Sequence, residues 1–268
     1  MRIRPAAVAG MFYPERPEEL RAMVDALVAD VAAPAPVPKA VIVPHAGYVY
    51  SGSTAALAYA GLKPGAGTIR HVVIVGPTHR VGIRAIALPD ADALATPLGE
   101  VPVWQSGVAA LAGLPQVVVS REVHAEEHSL EVQLPFLQRV LPDADVIALA
   151  AGWVEPAEVA EVLDALWGGP ETLIVISSDL SHYHPYDQAR QIDAGTIGQV
   201  LALDAGIDHD QACGATGVDG LLLAAPRHGV VPRLLGACNS GDTAGDRRRV
   251  VGYAAFGFYG QGDDDDVA

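Results

Sequence analysis

The sequence predicts an α/β fold, a single domain with a central, mainly parallel or mixed sheet and helices on both faces. Two observations carry this expectation. Short apolar runs bounded by turn residues alternate with longer amphipathic runs, which is the pattern of strands alternating with helices. The strand-like runs are also apolar at successive positions, as expected of strands covered on both sides. No internal repeat and no interior linker divides the 268 residues, half of which are hydrophobic, so one large core is expected.

The elements follow in order. Pro17 stands where a first helical residue belongs, and Leu20, Val24, Leu27 and Val28 recur at helical spacing, predicting a helix to residue 30 and then a Pro-rich connector over 32–38. The period then changes. Residues 40–43 read as a buried strand, 53–62 as a helix, 71–75 as a second strand and 85–88 as a third. Helical spacing returns over 130–141, a strand over 145–150, and a helix over 156–167 with Pro156 in its first turn. A strand at 173–176, helices at 187–203 and 218–225, and closing strands at 230–235 and 249–258 complete the series. The acidic run Asp263, Asp264, Asp265, Asp266 reads as a solvated end, so the domain is expected to span 1–260 and an acidic tail 261–268.

Charge narrows the function. Seventeen Lys and Arg against 32 Asp and Glu give a net charge of −15, which disfavours nucleic acid and anionic membranes as partners. No apolar run reaches the length of a spanning helix and none follows the pattern of a secretory signal, so the cytoplasm is the expected compartment. Cys213 and Cys238 are then expected to be reduced.

In open α/β sheets ligands bind beyond the carboxyl ends of the strands, so residues just after each predicted strand carry the most weight. Pro44-His45-Ala46-Gly47-Tyr48 follows the first core strand and Gly76-Pro77-Thr78-His79 the second. Ser177-Ser178-Asp179-Leu180-Ser181-His182 and Cys238-Asn239-Ser240-Gly241-Asp242 follow later ones. Histidines, carboxylates and a thiol on one rim suit a divalent metal bound by two imidazoles and a carboxylate, with open positions left for substrate. Iron, zinc, manganese and copper are not separated by spacing.

Other motifs compete. His124-Ala125-Glu126-Glu127-His128 fits the inverted zincin pattern, although both histidines need not be helical; His128 is better used near the pocket, oriented by Glu131. No G-x-S-x-G elbow is present, and Lys63-Pro64-Gly65-Ala66-Gly67 lacks the Lys-Ser/Thr of a P-loop. Cys213 could lie at a helix start with a lowered pKa, against the alternative of a buried, inert thiol.

Taken together, Ala9-Gly10-Met11-Phe12-Tyr13, the His45 segment through Gly52, Gly76 to His79, Glu127-His128-Ser129-Leu130-Glu131, Ser177 to His182, Cys213-Gly214, Asn239 to Asp242 and Val251-Gly252-Tyr253-Ala254-Ala255 resemble the Memo family. Its prokaryotic members are called AmmeMemoRadiSam system protein B. The resemblance implies a fold like that of the class III extradiol (LigB-like) dioxygenases, non-haem iron enzymes. It places His45 and His79 on the first two metal positions and His128 and His182 on pocket positions. Eukaryotic members supply a late cysteine as third ligand; here Thr243 falls at that place, with Asp242 adjacent and Cys238 five residues earlier. Asp242 is the expected third ligand and Cys238 the alternative. The expected activity is Fe(II)-dependent redox chemistry, with His182 as proton carrier oriented by Asp179 and assisted by His128. Phe12, Tyr13, Tyr48, Tyr50 and Cys213 would shape the pocket. A non-catalytic protein binding a peptide or other components of the same system, and a metallohydrolase, are the alternatives.

Overall fold

The computed structural model describes residues 1–29, 31 and 36–261. Asp30, most of the predicted connector and nearly all of the acidic tail lie outside the described residues. The chain opens with β1 (Ile3–Arg4) and α1 (Pro17–Ala29), followed by β2 (Ala40–Val43), α2 (Tyr48–Ala60), β3 (His71–Pro77) and β4 (Ile86–Leu88). A hairpin of β5 (Ala93–Thr96) and β6 (Gly99–Pro102) leads to α3 (Gln105–Ala110), β7 (Val117–Val119), α4 (Arg121–Ala125) and α5 (Leu134–Val140). Then come β8 (Asp145–Ala151), α6 (Pro156–Leu166), β9 (Thr172–Ser177), β10 (His182–His184), α7 (Tyr186–Leu201) and α8 (Ala215–Ala224). The last pair is β11 (Val230–Asn239) and β12 (Val250–Gly260).

Nine of these strands form one mixed sheet in the order β10-β12-β2-β9-β3-β8-β4-β7, with β11 paired to β12. Its centre, β2-β9-β3-β8, is parallel. Alternate residues of these strands feed two separate cores. Val41, Val43, Val72, Ile74, Val146 and Val175 pack with Leu20, Tyr59 and Phe136 of α1, α2 and α5. Ile42, Val73, Val75, Ile147, Ile174 and Ile176 pack with Val159, Leu163, Val200 and Leu221 of α6, α7 and α8. Burial on both faces explains why these strands are apolar at every position.

Two elements differ from the sequence reading in ways that matter for the site. Helix α2 begins at Tyr48 rather than residue 53, directly after Gly47, so the His45 loop is only four residues long. Residues 130–141 split into a 3₁₀ turn over Glu131–Gln133 and α5, with Pro135 in the first turn of the latter. A proline has no N–H to donate to the preceding turn, so a continuous helix does not form through it. The β11–β12 hairpin is also longer than expected and pairs as far as Asn239 with Gly252.

Candidate metal centre

Because β2, β3 and β9 run parallel, their carboxyl ends share one edge, and His45, His79 and Asp179 each lie two residues beyond a strand end. A fourth segment, residues 126–130, is pinned over that edge. Ser129 donates its hydroxyl to the Pro77 carbonyl at 2.9 Å and accepts the Ser177 hydroxyl on its own carbonyl at 2.6 Å. This approach requires a glycine at 76: a Cβ there would lie 2.8 Å from the Ser129 hydroxyl and 3.1 Å from Leu130. The loop so held delivers His128.

His45, His79 and His128 form a cluster in which one ring nitrogen from each lies within 4.8 Å of the others. Ring centroids are 5.2 Å apart for His45 and His79, 5.4 Å for His45 and His128, and 4.4 Å for His79 and His128. Hydrogen bonds behind the rings decide which nitrogens face inward. The single Ser177 hydroxyl proton goes to the Ser129 carbonyl, so that oxygen accepts from Gln133 Nε2 at 2.8 Å and from His45 Nδ1 at 2.9 Å. His45 therefore carries its proton on Nδ1 and turns the Nε2 lone pair inward, where the Cys213 sulfur lies 3.2 Å away. Glu127, 1 % exposed, accepts from His79 Nδ1 at 2.8 Å and from the Ser129 N–H at 2.9 Å, and its Oε1 lies 3.5 Å from His128 Nδ1. One carboxylate thus backs two imidazoles, an arrangement that fixes the orientation and raises the basicity of metal-ligating histidines.

Electrostatics agree with this geometry. Burial, then the neighbouring histidines, push the His45 pKa well below the usual imidazole value, and burial followed by His79 brings His128 down to about 4. Burial alone would raise Glu127, but the hydrogen bond and charge of His79 and the Ser129 N–H hold it down to about 2. His45 and His128, kept neutral beside an ionised carboxylate, are of the kind a divalent cation of the iron-to-zinc series takes as ligands. The residues present fit such an ion.

The cluster lies in a cleft of about 540 Å³ lined also by Phe12, Tyr50, Asp179, His182, Tyr183, Ser240, Arg249 and Tyr253. His79 and His182 are shared with a neighbouring cavity of about 680 Å³ that reaches Cys213. Burial is the main cause that lowers the His182 pKa, and its ring is bonded to the backbone of Leu180 rather than to Asp179. Asp179 instead accepts the His45 N–H at 2.8 Å and has its other oxygen 3.9 Å from His45 Nε2; burial raises its carboxyl to about 7.

Several sequence expectations are corrected here. Asp242 is not part of the cluster: its carboxylate accepts from the Tyr186 hydroxyl at 2.6 Å and from the Asn239 N–H, and it faces a separate cavity of about 360 Å³. Cys238 lines that same cavity, its sulfur 3.1 Å from the Thr54 hydroxyl. The physical reason is the hairpin, whose ladder carries its turn several residues past the end of β2. Glu131 does not orient His128. It takes up Arg4, the N–H groups of Ala7 and Val8, and the Tyr13 hydroxyl, tying the amino-terminal segment down so that Phe12 lies 4.5 Å from the His128 ring. Tyr13 and Tyr48 are consequently buried, the latter donating to the Val132 carbonyl, and neither lines the cleft. Cys213 has its sulfur 3.2 Å from His45 Nε2, and burial, then Asp179, push its pKa up, so it is a thiol. His124 ends in a short helix with Nε2 on the Ala87 carbonyl, and His128 lies beyond that helix, so the inverted zincin pattern is not formed. Sequence reasoning missed the roles of Glu127 and Ser177, which stood inside quoted motifs without a signal of them, and did not single out Tyr183 and Arg249, which line the cleft.

A parallel-centred α/β sheet with an imidazole cluster at its carboxyl edge is a scaffold whose three histidines could hold a metal ion, and the comparisons give its family. The model of the Memo-like protein family matches residues 4–257. A MEMO1 family protein of Methanopyrus kandleri is 36% identical over 95% of this chain and 98% of its own length, and one of Aquifex aeolicus is 35% identical over 96% and 100%. A third, from Thermoplasma volcanium, is 33% identical over 95% and 97%. The chain belongs to the Memo family.

Proposed function

We propose that the protein is a metal-dependent oxidoreductase that holds Fe(II) on His45, His79 and His128 and acts on a small organic ligand in the cytoplasm. The observation that carries this reading is the set of three clustered imidazoles beside an open cleft, which would hold a metal ion within reach of a ligand in that cleft. The fold likeness to the extradiol enzymes that the Memo resemblance implies favours iron and O₂. Bound there, the metal would supply a Lewis acid able to change oxidation state, which no side chain of the cleft can do.

The residues of this chain have defined tasks in that scheme. Ser177 and Glu127 keep the Nδ1 protons of His45 and His79 pointing away from the cleft. Phe12 covers His128 and limits water at the rings. His182, neutral and with one ring nitrogen free of the Leu180 backbone, accepts a proton from the ligand. Asp179, poised near neutrality, exchanges one at the oxygen that does not hold the His45 N–H. A positioned acid or base of this kind is worth roughly 10² to 10⁴ in rate.

The third histidine in place of a carboxylate favours one other reading, a hydrolase, because three imidazoles also make an open zinc site that activates water. Anaerobic purification, elemental analysis and O₂ uptake separate the two. Stoichiometric iron with O₂ consumption in the presence of a reductant supports the oxidoreductase, zinc with hydrolysis supports the second reading, and a metal-free protein that binds ligand unchanged overturns both.

A further inference from the structure

We propose that the metal cleft selects ligands carrying a carboxylate, and that Arg249 is the residue that recognises it. This deepens the functional reading above and rests on the cleft being the ligand site. Three arginines follow one another before β12, and the structure treats them differently. Arg247 lies 3.7 Å from Asp242 and over the Tyr186 ring, and Arg248 is paired with Asp246 at 2.9 Å. The Arg249 guanidinium alone of the three has no carboxylate partner among the described residues, the Arg249 backbone N–H being bonded to Asp246, and alone it lines the cleft. It is also the only Arg or Lys among the lining residues; Arg80, next to the ligand His79, is not one of them.

Other arginines such as Arg80 and Arg84 also have no carboxylate partner among the described residues, so what sets the Arg249 guanidinium apart is its place in the cleft. Its position is also built. The pairing of β10 with β12 is irregular between His182 and His184, and Tyr183 between them adopts a left-handed φ of +63°. Its ring consequently lies 5.0 Å from the Arg249 guanidinium, which it can hold by cation–π attraction while the N–H fork stays free. A guanidinium fork matches a carboxylate with two parallel hydrogen bonds, and a single positive charge balances a single negative one. Phe12, Tyr50 and Tyr253 supply apolar walls for the remainder of the ligand. The ligand chemistry that fits is an organic acid with a flat apolar body.

The test is a calorimetric titration of the full chain with benzoate, with its uncharged analogue benzamide and with inorganic phosphate, on metal-free and on metal-loaded protein. Wild type is expected to bind benzoate about tenfold or more tightly than benzamide in both metal states, the discrimination expected of charge-assisted hydrogen bonds. Arg249→Met is expected to abolish that preference, Arg249→Lys to keep part of it, and phosphate to bind more weakly than benzoate. Benzoate and benzamide binding alike, no saturable benzoate binding, phosphate binding as tightly as benzoate, or a preference unchanged in Arg249→Met overturns the assignment. A preference that appears only with metal and ignores Arg249 overturns it too, by assigning the carboxylate to the ion. Metal content, measured on the same samples, reports separately on the functional reading.

Discussion

The rings of His45 and His79 each depend on one hydrogen bond behind them, and this is where single substitutions bite. Ser177→Ala removes the acceptor of the His45 Nδ1 proton and frees the ring to flip, so metal affinity should fall by about 10- to 100-fold. Competition titration against a chromogenic chelator measures it; unchanged affinity would show that Ser177 has no such role. Glu127→Gln should cost more, because a buried amide would set its own donors against those of His79 and Ser129, lowering both metal affinity and thermal stability. At this scale the sequence was only partly readable. His45, His79 and Asp179 were visible because a strand end announces itself, through an apolar run that stops at a polar residue. The partner of a ring is set instead by how separate segments cross. Glu127 and Glu131 are four residues apart, yet one backs the histidines and the other anchors Arg4 and Tyr13. Nothing in their spacing distinguishes them.

Among the elements, the loop between α4 and the 3₁₀ turn holds the site together, since it brings His128 against β3. Gly76→Ala inserts a methyl group where Ser129 and Leu130 now approach. The expected result is a folded protein with the His128 loop displaced and weakened metal binding, read by the same titration; wild-type affinity would show that the loop is free to move. Helix α4 carries a second consequence. Burial, only partly offset by the hydrogen bond to Ala87, lowers His124 to about 4, against the usual 6.5. Above pH 6.5 the ring is neutral in both folded and unfolded chains. As pH falls from 6.5 towards 4 the unfolded chain binds the proton first, so this histidine contributes a loss of up to about 1.4 kcal/mol per pH unit. His124→Gln keeps a donor for Ala87 and cannot titrate, so urea unfolding of the metal-free variant should show a shallower acid slope than wild type. An identical slope would remove His124 as the cause. The long, parallel-centred elements were legible from period alone. Strands of two to four residues such as β1, β5 and β6, and the early start of α2, were not, because short segments carry too few residues to establish a period.

For the whole molecule, two apolar layers on a single sheet supply the stability while the cleft sits at its edge. The scaffold and the site should therefore respond separately. Leu221→Ala, deep in the layer formed by α6 and α8, is expected to cost about 2–5 kcal/mol without altering the metal affinity of the folded protein. Chemical unfolding with and without metal measures both quantities on one sample. A variant that lost affinity in step with stability would show that the edge is not independently organised. Bound metal should also raise the unfolding midpoint in proportion to the logarithm of its concentration over its dissociation constant. The fold class was legible at this scale because the alternation of elements and the unbroken apolar strands both require a covered sheet. The destination of Asp242 was not, since it depends on the pairing length of a hairpin.

The most direct measurement is an anaerobic titration of Fe(II) and Zn(II) into the metal-free protein, comparing wild type with His45→Ala, His79→Ala, His128→Ala and Asp242→Asn. One ion per chain in wild type and in Asp242→Asn, with affinity lowered by at least about tenfold in each histidine variant, is the predicted result. Full-affinity binding by His128→Ala together with its loss in Asp242→Asn would contradict it, and would return the third ligand to the hairpin turn.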